Sequence, residues 1–283
     1  MKKTLSDKSK IALNKQFVFQ EDTIDILSRN ILSGQNTILY GKGGYGKSQV
    51  TKAVCTALDI PYITIQCYRD MPVEAFIGSL NMTAFKKESK YEINFKDSPF
   101  MYEGVLILEE FMDVDPDITS AIKDIIEEKG YRDRDTFIPY KTLAIVGLGN
   151  TAPKEIAVTE SARALYFDRF ISHINVEWES VGPEEYFKLL QTAFPMTSNL
   201  IFVAHLASEA VASPRAALQA AAMVHNNSIE NPITVLSSMH IFKSLDINHL
   251  FHLHNERLTK DPKPHRNDWA IREIQLKPDN PDS

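Results

Sequence analysis

Eight consecutive residues, Gly41-Lys42-Gly43-Gly44-Tyr45-Gly46-Lys47-Ser48, constrain this chain more than any other stretch. They fit the spacing G-x-x-x-x-G-K-[S/T] at every fixed position. Glycines at those places let a backbone wrap closely around a phosphate chain with its N–H groups pointing inward. The lysine ammonium then reaches the β- and γ-phosphates, and the serine hydroxyl ligates Mg²⁺. Such a loop belongs between a strand and a helix. The β-prone run Asn36-Thr37-Ile38-Leu39-Tyr40 leads in. Behind Ser48, residues Val50, Ala53, Val54, Ala57 and Leu58 recur on one helical face. The helix they predict aims its positive N-terminal end at the phosphates. The expected nucleotide-binding residues here are Gly41, Gly43, Gly44, Tyr45, Gly46, Lys47, Ser48 and Gln49.

Strand and helix patterns alternate up to residue 176. Residues 1–15 are polar and lysine-rich and read as a flexible arm. An amphipathic helix is expected over 21–32, a strand over 61–66, and a short helix within 69–80 ending near Gly78. Phe85, Tyr91, Ile93 and Phe95 partly alternate around the charged run 86–90, which predicts a β-hairpin within 81–98. Gly104-Val105-Leu106-Ile107-Leu108 is the continuous apolar run of a strand buried on both faces. A helix over 115–128 has Pro116 near its start and Gly130 just past its end. Arg132-Asp133-Arg134-Asp135 reads as the tip of a second hairpin, and strands follow over 142–148 and 171–176. This alternation predicts a five-stranded parallel sheet with helices on both faces. Beyond Trp178 the pattern is wholly helical: 183–192, 197–212, 214–226, 232–245 and 248–258. The expected division is an arm (1–15), an α/β nucleotide-binding domain (16–178), an all-α domain (179–259) and a proline-bearing tail (260–283).

Several residues outside the loop bear chemistry. Glu109 and Glu110 follow a buried strand, at the carboxyl edge where open α/β sheets bind ligands. One carboxylate there can hold Mg²⁺; the next can activate the water that attacks a γ-phosphate. Asn150 ends the next strand, where its amide either bonds the γ-phosphate or the attacking water, or simply makes a turn with Thr151. Arg169 and Arg163 are candidates for a cation acting on a neighbouring subunit's nucleotide, against the plainer reading of surface arginines. Arg215, after Ser213-Pro214 at a helix start, is a candidate for contact with the phosphates. His249, His252, His254 and Glu256 are either metal ligands or a plain helix surface or partner contact, and no matching second ligand pair accompanies them. Lys86, Lys87, Arg132 and Arg134 are either contacts for a substrate or solvated turns.

Taken together, Gly41–Ser48, the Val105–Glu110 strand end, Asn150, Asp168-Arg169-Phe170 and Ser213-Pro214-Arg215-Ala216 resemble the AAA+ ATPases of the MoxR-like branch. The resemblance covers roughly residues 17–245 and implies a P-loop AAA+ core with an all-α lid. It implies ATP and Mg²⁺ as cofactors, with Lys47 and Ser48 on phosphate and metal, Glu109 at the metal-associated carboxylate position, and Glu110 as the catalytic carboxylate. Asn150 becomes the first nucleotide sensor, Arg169 the arginine finger and Arg215 the second sensor. The two hairpins match insertions that face a central pore or partner in ring-shaped hexamers. A protein client and a von Willebrand A-domain partner are implied in the same way. This chain departs from the branch in two places. Glu109 stands where Asp is usual, and Phe111-Met112-Asp113 stands where Asn-Arg is usual.

Charge and cysteine content narrow the partners. The 31 basic and 37 acidic side chains leave a net charge of −6, which gives no support for a nucleic-acid partner. Cys55 and Cys67 read as buried reduced thiols of a cytoplasmic protein. No run approaches a membrane span, and no apolar signal core follows the basic N-terminus. The expected function is a Mg-ATP-dependent remodelling or chaperone motor. The alternatives are an ATP-gated scaffold with little hydrolysis, motivated by Glu109, and a nucleic-acid-directed AAA+ motor.

Overall fold

The apolar runs read as strands do assemble into one sheet. The computed structural model describes residues 4–17, 20–80, 86, 93–133, 136–156, 160–178, 181–195, 197, 199–226 and 232–260. Its strands are β1 (Thr37–Tyr40), β2 (Tyr62–Gln66), β3 (Ser79–Leu80), β4 (Ile93–Asn94), β5 (Val105–Glu109), β6 (Gly130–Asp133), β7 (Thr136–Pro139), β8 (Ala144–Gly149) and β9 (Ser172–Asn175). Five of them form a parallel sheet in the order β2-β5-β8-β1-β9. Its middle is the driest part: Val105, Leu106, Ile107 and Leu108 of β5 are all fully buried, as are Ile145 and Val146 of β8. A run apolar on both faces can settle only at such a position.

The strand order, which the sequence pattern does not reveal, decides where the chemistry gathers. β1 delivers the phosphate loop, and it pairs with β8, whose end carries Asn150. β8 pairs in turn with β5, whose end carries Glu109 and Glu110. Adjacent parallel strands lie about 4.8 Å apart, so three sequence-distant strand ends open onto one edge.

The first unit, Met1–Glu177, holds this sheet and the helices α1 (Asp7–Gln16), α2 (Glu21–Leu32), α3 (Lys47–Ala57), α4 (Glu74–Ile77), α5 (Pro116–Glu128), α6 (Pro153–Ile156) and α7 (Glu160–Arg163). α2 buries Ile24, Leu27 and Ile31, and α3 buries Val50 and Val54, as their periodicity predicts. Each such aliphatic side chain contributes about 2 kcal/mol relative to exposure. Both cysteines are free and buried.

Four local expectations are corrected. The flexible arm is instead helix α1 over much of its length, capped by the Ser6 hydroxyl and packed on α2 and α3. Its inward residues Leu5, Leu13 and Phe17 are too sparse among lysines to stand out in the sequence. The short helix within 69–80 does end at Gly78, but its extent is a single turn, Glu74–Ile77. The first hairpin has its described stem at β3 and β4, so it starts before residue 81 and its strand ends at Asn94; most of its predicted loop, including Phe85, Lys87 and Tyr91, lies outside the described residues. At the end of α5 the left-handed residue is Lys129 (φ 55°), not Gly130. Gly130 opens β6, where a Cβ would stand 2.5 Å from the Ile138 carbonyl oxygen, so its need is close strand approach.

The second unit, Trp178–Ser283, is all helical among its described elements: α8 (Pro183–Ala193), α9 (Leu200–Glu209), α10 (Pro214–Asn226), α11 (Pro232–Ser237) and α12 (Ile247–Lys260). The helix expected over 232–245 breaks after Ser237. A single turn, His240–Phe242, follows and sinks Phe242 into the unit's core. No helix among the described residues is long and apolar enough to cross a membrane.

Candidate functional site

The loop after β1 reaches α3 through two residues in left-handed backbone, Gly44 (φ 86°) and Gly46 (φ 82°). A side chain at either place would be strained, which explains the glycines. Gly46 accepts the first helical bond, from Val50 N at 2.8 Å. The N–H groups of the first turn of α3 have no intrahelical acceptors, and they face the loop with the positive end of the helix dipole. This is the geometry of an anion site. Lys47 is buried to 9% exposure, and its ammonium folds back over the loop. It donates to Gly41 O at 2.5 Å, Lys42 O at 3.0 Å and Asn150 Oδ1 at 3.0 Å. From outside the loop, the buried Gln20 side chain donates to Tyr45 O at 2.8 Å. No sequence pattern singles out Gln20, because the bond spans 25 positions.

The acidic pair at the end of β5 is split between two partners. Glu109 continues the strand and turns to α3, where its Oε1 accepts from Ser48 Oγ at 2.5 Å and from Lys52 Nζ at 2.9 Å. Glu110 has left-handed backbone (φ 53°, ψ 34°), a conformation that costs a non-glycine residue about 1–3 kcal/mol. That turn separates it from Glu109 and sets its Oε2 against Asn150 Nδ2 at 2.8 Å. Asn150 therefore bridges Lys47 and Glu110 with the two ends of one amide.

Burial alone would raise the Glu109 carboxyl. Hydrogen bonds from Lys52 and Ser48, with the Lys52 charge, outweigh it and hold the group below the ordinary glutamate range. A depressed carboxylate contributes stability above its unfolded value and loses it as pH falls through the folded one. The difference in thermal midpoint between wild type and Glu109→Gln is thus expected to stay constant above about pH 5 and shrink below about pH 4. A difference independent of pH would remove this pair from the stability account. Beside it, the Cys67 thiol is pushed up to about 12 by burial and the two nearby glutamates, so it is an inert core group.

Gln49 is exposed in the first turn of α3. Arg169 ends a π-helical turn, Ala164–Arg169, and pairs with Glu127 of α5 at 2.6 Å. That bond, with the Glu127 charge, raises the guanidinium further, and no described contact joins Arg169 to Lys47, Asn150 or Glu110. Arg163 ends α7. Arg215 is an exposed residue in the first turn of α10, in the second unit. His249 and His252 lie on α12; the side chains of His254 and Glu256 are outside the described residues. Among the described residues no group of three or more His, Cys, Asp or Glu could hold a metal ion. In the second hairpin, Arg132 bonds Glu128 and stacks over Phe137 at 5.3 Å, while Arg134 is not described.

Residues 36–170 match the AAA domain of the dynein-related subfamily. Two uncharacterized proteins of Methanocaldococcus jannaschii are each 24% identical over 166 residues, 58% of this chain. The matched stretch spans 43% and 42% of their own length, less than half of either. In fold, the chain is similar to NtrX from Brucella abortus in complex with ATP (TM-score 0.54, 12% identity, 89% of this chain and 64% of that one). It is also similar to the same protein in complex with ADP (TM-score 0.55, 11% identity, 96% and 62%). A variant of RuvB from Thermotoga maritima gives a TM-score of 0.51 at 14% identity over 83% of this chain and 69% of that one.

Proposed function

We propose that this chain, whose residues 36–170 match an AAA domain, is an AAA+ protein and a Mg-ATP-dependent ATPase of the MoxR-like type. The observation that carries this reading is the bridge from Lys47 through Asn150 to Glu110. It sets a phosphate-binding ammonium and a carboxylate at opposite ends of one amide, a spacing suited to a γ-phosphate and the water that attacks it. Glu110 takes a proton from that water, and Asn150 orients it. The backbone of Gly41–Ser48 and the N-terminus of α3 hold the phosphates. That NtrX, of similar fold, binds ATP and ADP supports the nucleotide assignment.

The metal assignment rests on donor chemistry. The Ser48 hydroxyl and the Glu109 carboxylate are hard oxygen donors in mutual contact, a set that suits Mg²⁺. Held by them, the ion would neutralise charge on the phosphates. Arg169, or failing it Arg163, serves the nucleotide of a neighbouring subunit; for Arg169 this means exchanging Glu127 for a phosphate. Arg215 as second sensor, a hexameric ring, a protein client with a von Willebrand A-domain partner, and a cytoplasmic setting belong to the same proposal and rest on the resemblance to the branch.

One observation favours the scaffold reading: a single oxygen of Glu109 is already engaged by Ser48 and Lys52. Steady-state phosphate release from Mg-ATP separates the two. A motor is expected to turn over at about 1 s⁻¹ or faster, in the ordinary enzyme range, with Glu109→Asp within about tenfold. A wild type that binds ATP without measurable turnover, and that Glu109→Asp activates, would establish the scaffold instead.

A further inference from the structure

Lys52 belongs to no motif, yet it meets the carboxylate on which the metal assignment depends. It lies one helical turn beyond Ser48 on α3, so the helix presents a hydroxyl and an ammonium one above the other. Both reach the same atom, Glu109 Oε1, at 2.5 Å and 2.9 Å. The side chains of Lys52 and Glu109 are 36% and 24% exposed, so water screens the pair only in part.

We propose that Lys52 is a positioning residue that competes with the divalent ion for Glu109 and so raises the Mg²⁺ concentration needed to bind nucleotide. This rests on the reading of Ser48 and Glu109 as metal ligands. A fixed ammonium and a divalent cation sharing one carboxylate repel each other, and the carboxylate cannot give full charge to both. Freeing Glu109 from its bond to Lys52 costs some order in its side chain. That penalty is smaller than the repulsion relieved, because the repulsion involves a double charge in a partly desolvated site. The net effect of removing the ammonium is tighter metal binding.

The test is a Mg²⁺ titration of fluorescent ATP-analogue binding to the full chain, with Mn²⁺ binding followed by electron paramagnetic resonance as a second readout. Neither needs turnover. Lys52→Met and Lys52→Gln are both expected to lower the half-saturating Mg²⁺ about tenfold, which for one removed charge is the scale of about 1.4 kcal/mol. Lys52→Arg is expected to stay within about twofold, because the charge is kept. Damage to the fold cannot tighten metal binding, so a lowered midpoint is specific to the proposal. An unchanged or raised midpoint in both neutral variants, while Glu109→Gln weakens metal binding, overturns the role of Lys52 alone. A midpoint unmoved by Glu109→Gln overturns the metal assignment, and the Lys52 proposal with it.

Discussion

Glu110→Gln is expected to bind ATP within about twofold of the wild type while releasing phosphate about 100- to 10,000-fold more slowly, the range for removing a general base. The substitution is nearly isosteric. Its amide oxygen can still accept the bond that Asn150 Nδ2 makes to Glu110 Oε2 at 2.8 Å, so the Asn150 bridge survives. The left-handed backbone at residue 110 is imposed by its surroundings and is unaffected by the change of side-chain end group. What disappears is a group able to take a proton from water. Equilibrium binding of a fluorescent ATP analogue and a phosphate-release assay measure the two halves of the prediction. Undiminished release would reject Glu110 as the base, and lost binding would show that the bridge depends on its charge.

Lys47→Met is expected to weaken ATP binding by about 100-fold or more. Charge-assisted hydrogen bonds to phosphate oxygens are worth about 1.5–3 kcal/mol each, and every 1.4 kcal/mol is tenfold in affinity. Methionine matches the lysine stem as far as Cε and fills a site that is 9% exposed, so the change removes the ammonium, its charge and its donors together. The same change leaves Gly41 O, Lys42 O and Asn150 Oδ1 without the donor they share. A stability loss of about 1–3 kcal/mol should accompany the lost affinity. Isothermal calorimetry with ATP, and a thermal melt of the same sample, read the two effects separately. Retention of wild-type affinity would remove the lysine, and with it the phosphate-loop reading, from the site.

Elements bounded by strong local signals were legible in the sequence. α10 begins at Pro214 and ends at Asn226, as expected, because Ser213 caps it through Ala216 N and proline suits a first turn. The apolar run of β5, Val105 to Leu108, was legible as a strand buried on both faces because no other place in a fold accepts such a run. Weak or shared local signals hid other elements. α1 and the residues flanking it hide Leu5, Leu13 and Phe17 among lysines, and α11 stops at Ser237, ahead of a separate turn that buries Phe242. Gly130 carries a shared signal, since a helix end and a close approach of paired antiparallel strands both call for glycine.

By itself the sequence determined the phosphate loop, the acidic pair and the asparagine, because these act through backbone geometry and side-chain type within a few residues. Only the tertiary structure decided what each one touches. The order β2-β5-β8-β1-β9 brings Lys47, Asn150 and Glu110 into one chain of hydrogen bonds across separations of 103 and 40 residues. It places Lys52 on Glu109, Gln20 under the loop and Glu127 on Arg169. None of these contacts leaves a periodic trace in the chain. Each depends on which strand ends lie side by side, a choice made by burial of the whole sheet rather than by any segment within it.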